Sequence, residues 1–202
     1  IVTHHPLFFD APNAINDASY EGRCILELAA AKIAAINLHT NLDVCPGGVN
    51  DVLAETLGLT DVSVLNPVGT DAQGRPYGLI RTGMVREQRL AEFAAFVKSA
   101  LPCPGLRFAD AGKPVRRVAV GGGSCGGAID DVLAAGCDTL VTADLKYNHF
   151  EEAKYRGLNL IDAGHFETEN PVCAVLDHVL REALPELTVL RAKAHKDETQ
   201  FL

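Results

Sequence analysis

The order of apolar and polar residues along the chain predicts strands that alternate with helices. Residues 17–35, 49–59 and 86–101 carry apolar side chains at the spacing of one helical face. In the third segment these residues are Leu90, Phe93, Ala94, Val97 and Leu101. Short apolar runs such as INLHT, at residues 36–40, and YGLIRTGMV, at residues 77–85, predict the first strands.

After Lys113 the alternation becomes regular. The predicted strands are VRRVAVG, TLVTAD, LNLIDAG and LTVLRAKA, and helical segments separate them. Strands that alternate with helices favour a parallel sheet whose two faces are covered. We therefore predict an α/β fold of two packed lobes, residues 1–112 and 113–202, with mostly parallel sheets, helices on both faces and a boundary near residues 111–114.

Composition narrows the class of protein. The 202 residues are 48% apolar and 22% charged, and the formal net charge is -8. This charge argues against nucleic-acid binding, which needs a basic surface. No apolar run approaches the roughly 20 residues that a membrane helix needs, and no signal peptide is visible. We expect a cytoplasmic protein without a membrane partner.

The six cysteines and the start of the chain add two expectations. The cysteines are scattered without a C-x-x-C pair, which favours free thiols in a reducing compartment. The chain has no initiator methionine and opens inside a predicted strand. We expect the natural protein to continue upstream, so that the N-terminal part of its fold is missing here.

Residues that can bind metal follow the ends of three predicted strands. Working side chains of α/β sheets gather at the carboxyl ends of the strands. Pro6 cannot donate a strand hydrogen bond and so marks the end of the first strand. The candidates are His4, His5, His39, Asp43, His165, Glu167 and Glu169. Mixed imidazole and carboxylate ligands suit zinc, manganese, iron or cobalt.

Each candidate also has a structural interpretation. Asp43 in TNLD is typical of a turn, and His39, within a predicted strand, is typical of a hydrogen-bonding partner to the ligands. Glu167 and Glu169 near a helix start could merely stabilise the helix dipole. Because Pro171 suits a first helical turn, we expect His165–Glu169 to be a loop that enters a helix and not one helical face.

A glycine-rich segment offers a competing function. VRRVAVGGGSCGGAIDD has glycines at positions 121, 123 and 126 between a strand and a helix, and Asp144 ends the next strand. This layout resembles a dinucleotide-binding fingerprint and would indicate a nicotinamide enzyme. The same turn could instead hold a phosphate, or only reverse the chain.

The motifs THHPLFF, HTNLDVCPGGVNDVLAETLGL, GGGSCGGA, TADLKYNHFEEA and GLNLIDAGHFETE occur in one order. In this order they resemble the GTP cyclohydrolase 1 type 2 homologues, also called Ngg-interacting-factor-like dinuclear-metal-centre proteins. The resemblance implies two divalent metal ions between the lobes, with Glu169 shared by both. The ligands that it implies are His4, His5, Asp43, His165 and Glu169. It also implies a toroidal homohexamer built as a trimer of dimers.

The leading hypothesis is a metal-dependent hydrolase of a phosphorylated or nucleotide-like small molecule. Two dications against two carboxylates leave an excess of positive charge, which favours an anionic substrate. Lys146 and His149 in LKYNHF are candidate substrate contacts, and His39 is a candidate supporting residue. The alternative is a non-catalytic metal-binding scaffold or regulatory protein that works through its ring assembly.

Overall fold

The computed structural model describes residues 1–202, which form two compact units, Ile1–Leu42 and Asp43–Leu202. In the first unit, β1 (Val2–Thr3) pairs in parallel with β2 (Ile36–Asn37), and α1 (Tyr20–Ala30) connects them. Strand β1 ends directly before His4, as Pro6 predicts. No helix of the chain combines the length and the apolar character needed to cross a membrane.

Helix α2 (Thr40–Val44) leads into the second unit, which contains a six-stranded sheet and a two-stranded hairpin. The helices of this unit are α3 (Val49–Thr56), α4 (Leu90–Ala100), α5 (Ile129–Ala134), α6 (Tyr147–Arg156), α7 (His165–Glu169) and α8 (Val172–Ala183). Its strands are β3 (Thr60–Leu65), β4 (Gly69–Thr70), β5 (Pro76–Tyr77), β6 (Ile80–Gln88), β7 (Arg107–Ala109), β8 (Val115–Val120), β9 (Thr139–Thr142) and β10 (Asn159–Asp162).

The large sheet has the order β3-β6-β8-β9-β10-β7 and confirms the α/β class. Strands β8, β9 and β10 run parallel, as the alternation after Lys113 predicts. The pairs β3–β6, β6–β8 and β7–β10 are antiparallel, so the sheet is mixed rather than mostly parallel. The predicted lobe boundary near residues 111–114 lies inside the second unit, where β6 and β8 pair across it.

The strand predicted at residues 187–194 is not formed. Its apolar side chains are exposed, with 55% of Leu187 and 84% of Leu190 accessible to water. Strand β7 occupies the edge position beside β10, so that edge of β10 is already paired. The three-residue β7 is too short for its alternation to be recognised in the sequence.

Helices cover both faces of the sheet, as predicted, and create two apolar cores. Alternate residues of one strand enter different cores because successive side chains point to opposite faces. Val118 and Val120 pack with Leu53 of α3 and Phe93 of α4. Ala119 packs on the other face, in the core that α5 and α6 cover.

The core supports a prediction about α4. Replacing the fully buried Phe93 by alanine should reduce the free energy of unfolding by about 3–5 kcal/mol, because it removes an aromatic ring and leaves a cavity. Phe96, on the same helix but 43% exposed, is the matched control, and its alanine variant should lose less than about 1 kcal/mol. Urea unfolding measures both, and equal losses would contradict the assignment of the core.

Candidate functional site

The first unit brings three imidazole rings together. The ring centroids of His4 and His5 lie 4.9 Å apart, and that of His39 lies 5.2 Å from His4 and 5.4 Å from His5. Each ring offers one nitrogen within 4.8 Å of the others. The geometry therefore makes His39 a possible third ligand as well as a supporting residue.

A backbone contact orients His4. Its Nδ1 lies 2.7 Å from the carbonyl oxygen of Leu38. Because a carbonyl only accepts, Nδ1 must carry the proton, and Nε2 then has the lone pair that a metal ion requires. The carbonyl of Leu38, which directly follows β2, thus selects the tautomer of His4, which directly follows β1.

The second unit places His165 and Glu169 on one face of α7. They are four residues apart in a short helix, and His165 Nε2 lies 3.0 Å from Glu169 Oε1. The expectation of a loop at His165–Glu169 is wrong, since the Thr168 hydroxyl donates to the Gly164 carbonyl at 2.8 Å and supports a helical turn before Pro171. Helical spacing therefore aligns these two side chains.

Asp144 orients His165 from the opposite side of the ring. Its Oδ2 lies 2.6 Å from His165 Nδ1, at the end of β9. A carboxylate at one imidazole nitrogen is the usual partner of a histidine whose other nitrogen binds metal. Sequence reasoning considered Asp144 only as part of a dinucleotide fingerprint, although its place at a strand end also made it a candidate for the metal site.

These carboxylates change the proton affinity of His165. The hydrogen bond to Glu169 raises the pKa of His165 to about 9, and the bond to Asp144 acts in the same direction. Burial opposes both effects because it penalises the charged ring.

Asp43 and Glu169 form a pair of buried carboxylates in the same unit. They are 7% and 8% exposed, and one oxygen of each lies within 4.8 Å of the other. Two negative charges this close, with little water, favour a shared proton or a bound cation. Glu169 also lies 3.0 Å from His165 Nε2, so this carboxylate has both another carboxylate and an imidazole near it, and such mixed donors suit a divalent transition metal.

The glycine-rich segment gives room to Glu169, and several of its amides donate within the protein. Four of its amides donate to groups of the protein: Gly121 N to Val141 O, Gly122 N to Asn50 Oδ1, Gly123 N to Thr168 Oγ1 and Cys125 N to Thr142 Oγ1. These four amides are therefore committed to the protein and do not supply donors for the phosphate or nicotinamide interpretations, which stay untested. Gly123 has a φ of +63°, and a Cβ there would press on the Glu169 carboxylate.

Glu167 lines a cavity of about 300 Å³ together with Arg107, Asp144, Asp162 and His165, and burial raises its pKa. The two candidate substrate contacts, Lys146 and His149, do not line this cavity. The backbone N–H of Lys146 donates to His149 Nδ1 at 3.2 Å, and the two residues cap the start of α6.

Comparisons with known proteins identify the family of this chain. A sequence model of the family Duf34/NIF3 (NGG1p interacting factor 3) matches residues 1–198. A "GTP cyclohydrolase 1 type 2 homolog" from Nostoc is 38% identical over 189 residues, covering 90% of this chain and 68% of the relative. A protein of the same name from Clostridium perfringens is 30% identical over 204 residues, covering 100% of this chain and 77% of the relative.

A solved structure is similar to the whole fold. The chain superposes on a Bacillus cereus protein related to NIF3 with a TM-score of 0.89 and 25% sequence identity. The match covers 100% of this chain and 82% of the other.

The contacts of His165 predict a pH dependence in the metal-free chain. Folding raises the pKa of His165 from 6.5 to about 9, so the protonated ring stabilises the folded chain. This contribution is complete below pH 6.5 and is lost as the pH rises through about 9. Urea unfolding between pH 6 and 10 and an NMR titration of the ring measure it. His165→Gln should remove this part of the profile, whereas the exposed His178→Gln should retain it. A ring that titrates near 6.5 would contradict the geometry.

The tight approach at Gly123 predicts a second effect. Gly123→Ala should cost about 1–2 kcal/mol of unfolding free energy from its left-handed backbone alone. It should also displace Glu169 and lower the pKa of His165 toward its ordinary value. Gly127→Ala, in the same loop but facing open space, is the matched control and should change stability by less than about 0.5 kcal/mol. If both variants behave alike in unfolding and NMR titration, Gly123 has no special role.

Proposed function

Because the chain belongs to the Duf34/NIF3 (NGG1p interacting factor 3) family, we propose that it is a metal-dependent hydrolase of a phosphorylated or nucleotide-like small molecule. It binds two divalent metal ions, from among zinc, manganese, iron and cobalt. The proposed ligands are His4, His5, Asp43, His165 and Glu169. The homohexameric ring stays a proposal that family membership alone supports.

The pair of buried carboxylates carries this proposal. Asp43 and Glu169 approach within 4.8 Å at 7% and 8% exposure, and a cation lowers the energy of such a pair more than water can at that depth. His165 adds an imidazole nitrogen 3.0 Å from Glu169. This mixed set leaves ligand positions open, which is typical of catalytic rather than structural sites.

The chain's own residues hold and orient the site. Asp144 accepts a hydrogen bond from His165 Nδ1, so Nε2, the nitrogen on the Glu169 side, is the one that would bind a metal ion in place of its proton. The Leu38 carbonyl does the same for His4 in the first unit. When bound, two divalent ions would supply Lewis-acid polarisation and more positive charge than two carboxylates neutralise, which favours an anionic substrate and activates water.

Elemental analysis tests metal binding. The chain, stripped with a chelator and then dialysed against Zn²⁺, Mn²⁺ or Co²⁺, should retain two ions, because its buried carboxylates favour a cation. Glu169→Gln and His165→Ala should each retain fewer, and His178→Ala, on the exposed surface of α8, should retain both. Retention of no metal by the unchanged protein, or full retention by both site variants, would contradict the proposal.

Turnover is a separate question. The metal-loaded protein should hydrolyse at least one member of a panel of phosphate monoesters and nucleotides, and Glu169→Gln should abolish this activity. A protein that retains two ions without any turnover would instead support the non-catalytic scaffold.

A further inference from the structure

We propose that Asn50 is a positioning residue of the metal site, which fixes how far the Asp43 carboxylate lies from that of Glu169. The inference rests on the proposed metal binding and goes beyond it, because Asn50 is not among the proposed ligands. Its side chain is fully buried at the start of α3, within the second unit.

Asn50 connects two segments that are far apart in the sequence. Its Nδ2 donates to the backbone carbonyl of Asp43 at 3.1 Å. Its Oδ1 accepts from the amide of Gly122 at 2.7 Å. One side chain thus joins the backbone of a candidate ligand to the glycine-rich segment, across 72 residues of sequence.

The chemistry of the two partners determines which way the amide faces. A carbonyl can only accept, and a backbone N–H can only donate. Only one orientation of the Asn50 amide satisfies both, and no other residue of similar shape offers a donor and an acceptor in this arrangement. Aspartate would retain the bond to Gly122 and place a carboxylate oxygen against the Asp43 carbonyl.

A second buried residue completes the connection to Glu169. The amide of Gly123 donates to Thr168 Oγ1 at 3.0 Å, and Thr168 directly precedes Glu169 in α7. Gly123 itself lies against the Glu169 carboxylate and against Nε2 of His165. The path from Asp43 through Asn50, the glycine-rich segment and Thr168 therefore consists of short, buried hydrogen bonds.

This path constrains the two carboxylates from opposite sides. Arg81 also donates to the carbonyls that follow Asp43, at Val44 and Cys45, but those bonds are 3.3 and 3.4 Å long and do not reach the glycine-rich segment. Asn50 is thus the side chain that ties the Asp43 segment directly to the segment on which Glu169 packs. Residues that orient ligands in this way typically change metal affinity by about 10- to 100-fold when they are replaced.

The chain contains a matched control. Asn159 is also a fully buried asparagine that bridges two segments, accepting from Ala111 N and donating to Lys113 O at 3.0 Å each. It lies at the start of β10, whereas His165 follows the end of that strand. Its replacement removes comparable buried hydrogen bonds without touching the site.

The experiment compares Asn50→Asp and Asn50→Leu with Asn159→Asp and Asn159→Leu in the full chain. Co²⁺ titration followed by visible absorption measures affinity and ligand geometry, and urea unfolding at 10 °C measures stability. Both Asn50 variants should bind Co²⁺ about 10- to 100-fold more weakly and shift its absorption bands. The Asn159 variants should lose similar stability and keep the affinity within twofold.

Each other outcome overturns the inference in a distinguishable way. Wild-type affinity in a folded Asn50 variant refutes the positioning role while leaving metal binding intact. Failure of both Asn50 variants to fold, where the Asn159 variants fold, makes Asn50 a folding residue only. Absence of Co²⁺ binding by the unchanged protein refutes the proposed function first and the inference with it.

Discussion

The second unit depends on accommodating two carboxylates that repel each other. Asp43 and Glu169 approach within 4.8 Å, at a depth where water can screen little of their charge. Desolvation and repulsion both oppose such a pair, and the His165 ring, 3.0 Å from Glu169, offsets part of this cost. The surrounding contacts offset this cost, and the proposed metal ions would lower it further.

The conformation of Gly123 and two buried hydrogen bonds make room for the Glu169 carboxylate. The left-handed Gly123 lets the backbone reach the Glu169 carboxylate where any side chain would collide. The amides of Gly122 and Gly123 donate to Asn50 and Thr168, so neither of these two buried donors is left without an acceptor. A segment whose sequence resembles a nucleotide-binding turn therefore serves the packing of a candidate metal ligand.

The sheet determines where these groups meet. Strands β9 and β10 run parallel, and Asp144 and His165 follow their adjacent carboxyl ends. Two apolar cores hold these strands rigidly from both faces. The carboxyl-end rule for α/β sheets thus applies here even though three of the five strand pairs are antiparallel.

The sequence by itself determined the α/β class, the parallel strands after Lys113, the family and the candidate ligands, because these follow from local periodicity and contiguous motifs. Only the tertiary structure decided the helical alignment of His165 with Glu169, since five residues before a proline carry no clear helical pattern. It also decided the edge position of β7 and the exposed course of residues 187–194, because strand pairing depends on distant partners. The roles of Asp144 and Asn50 depend on contacts across 21 and 72 residues, which no local pattern encodes.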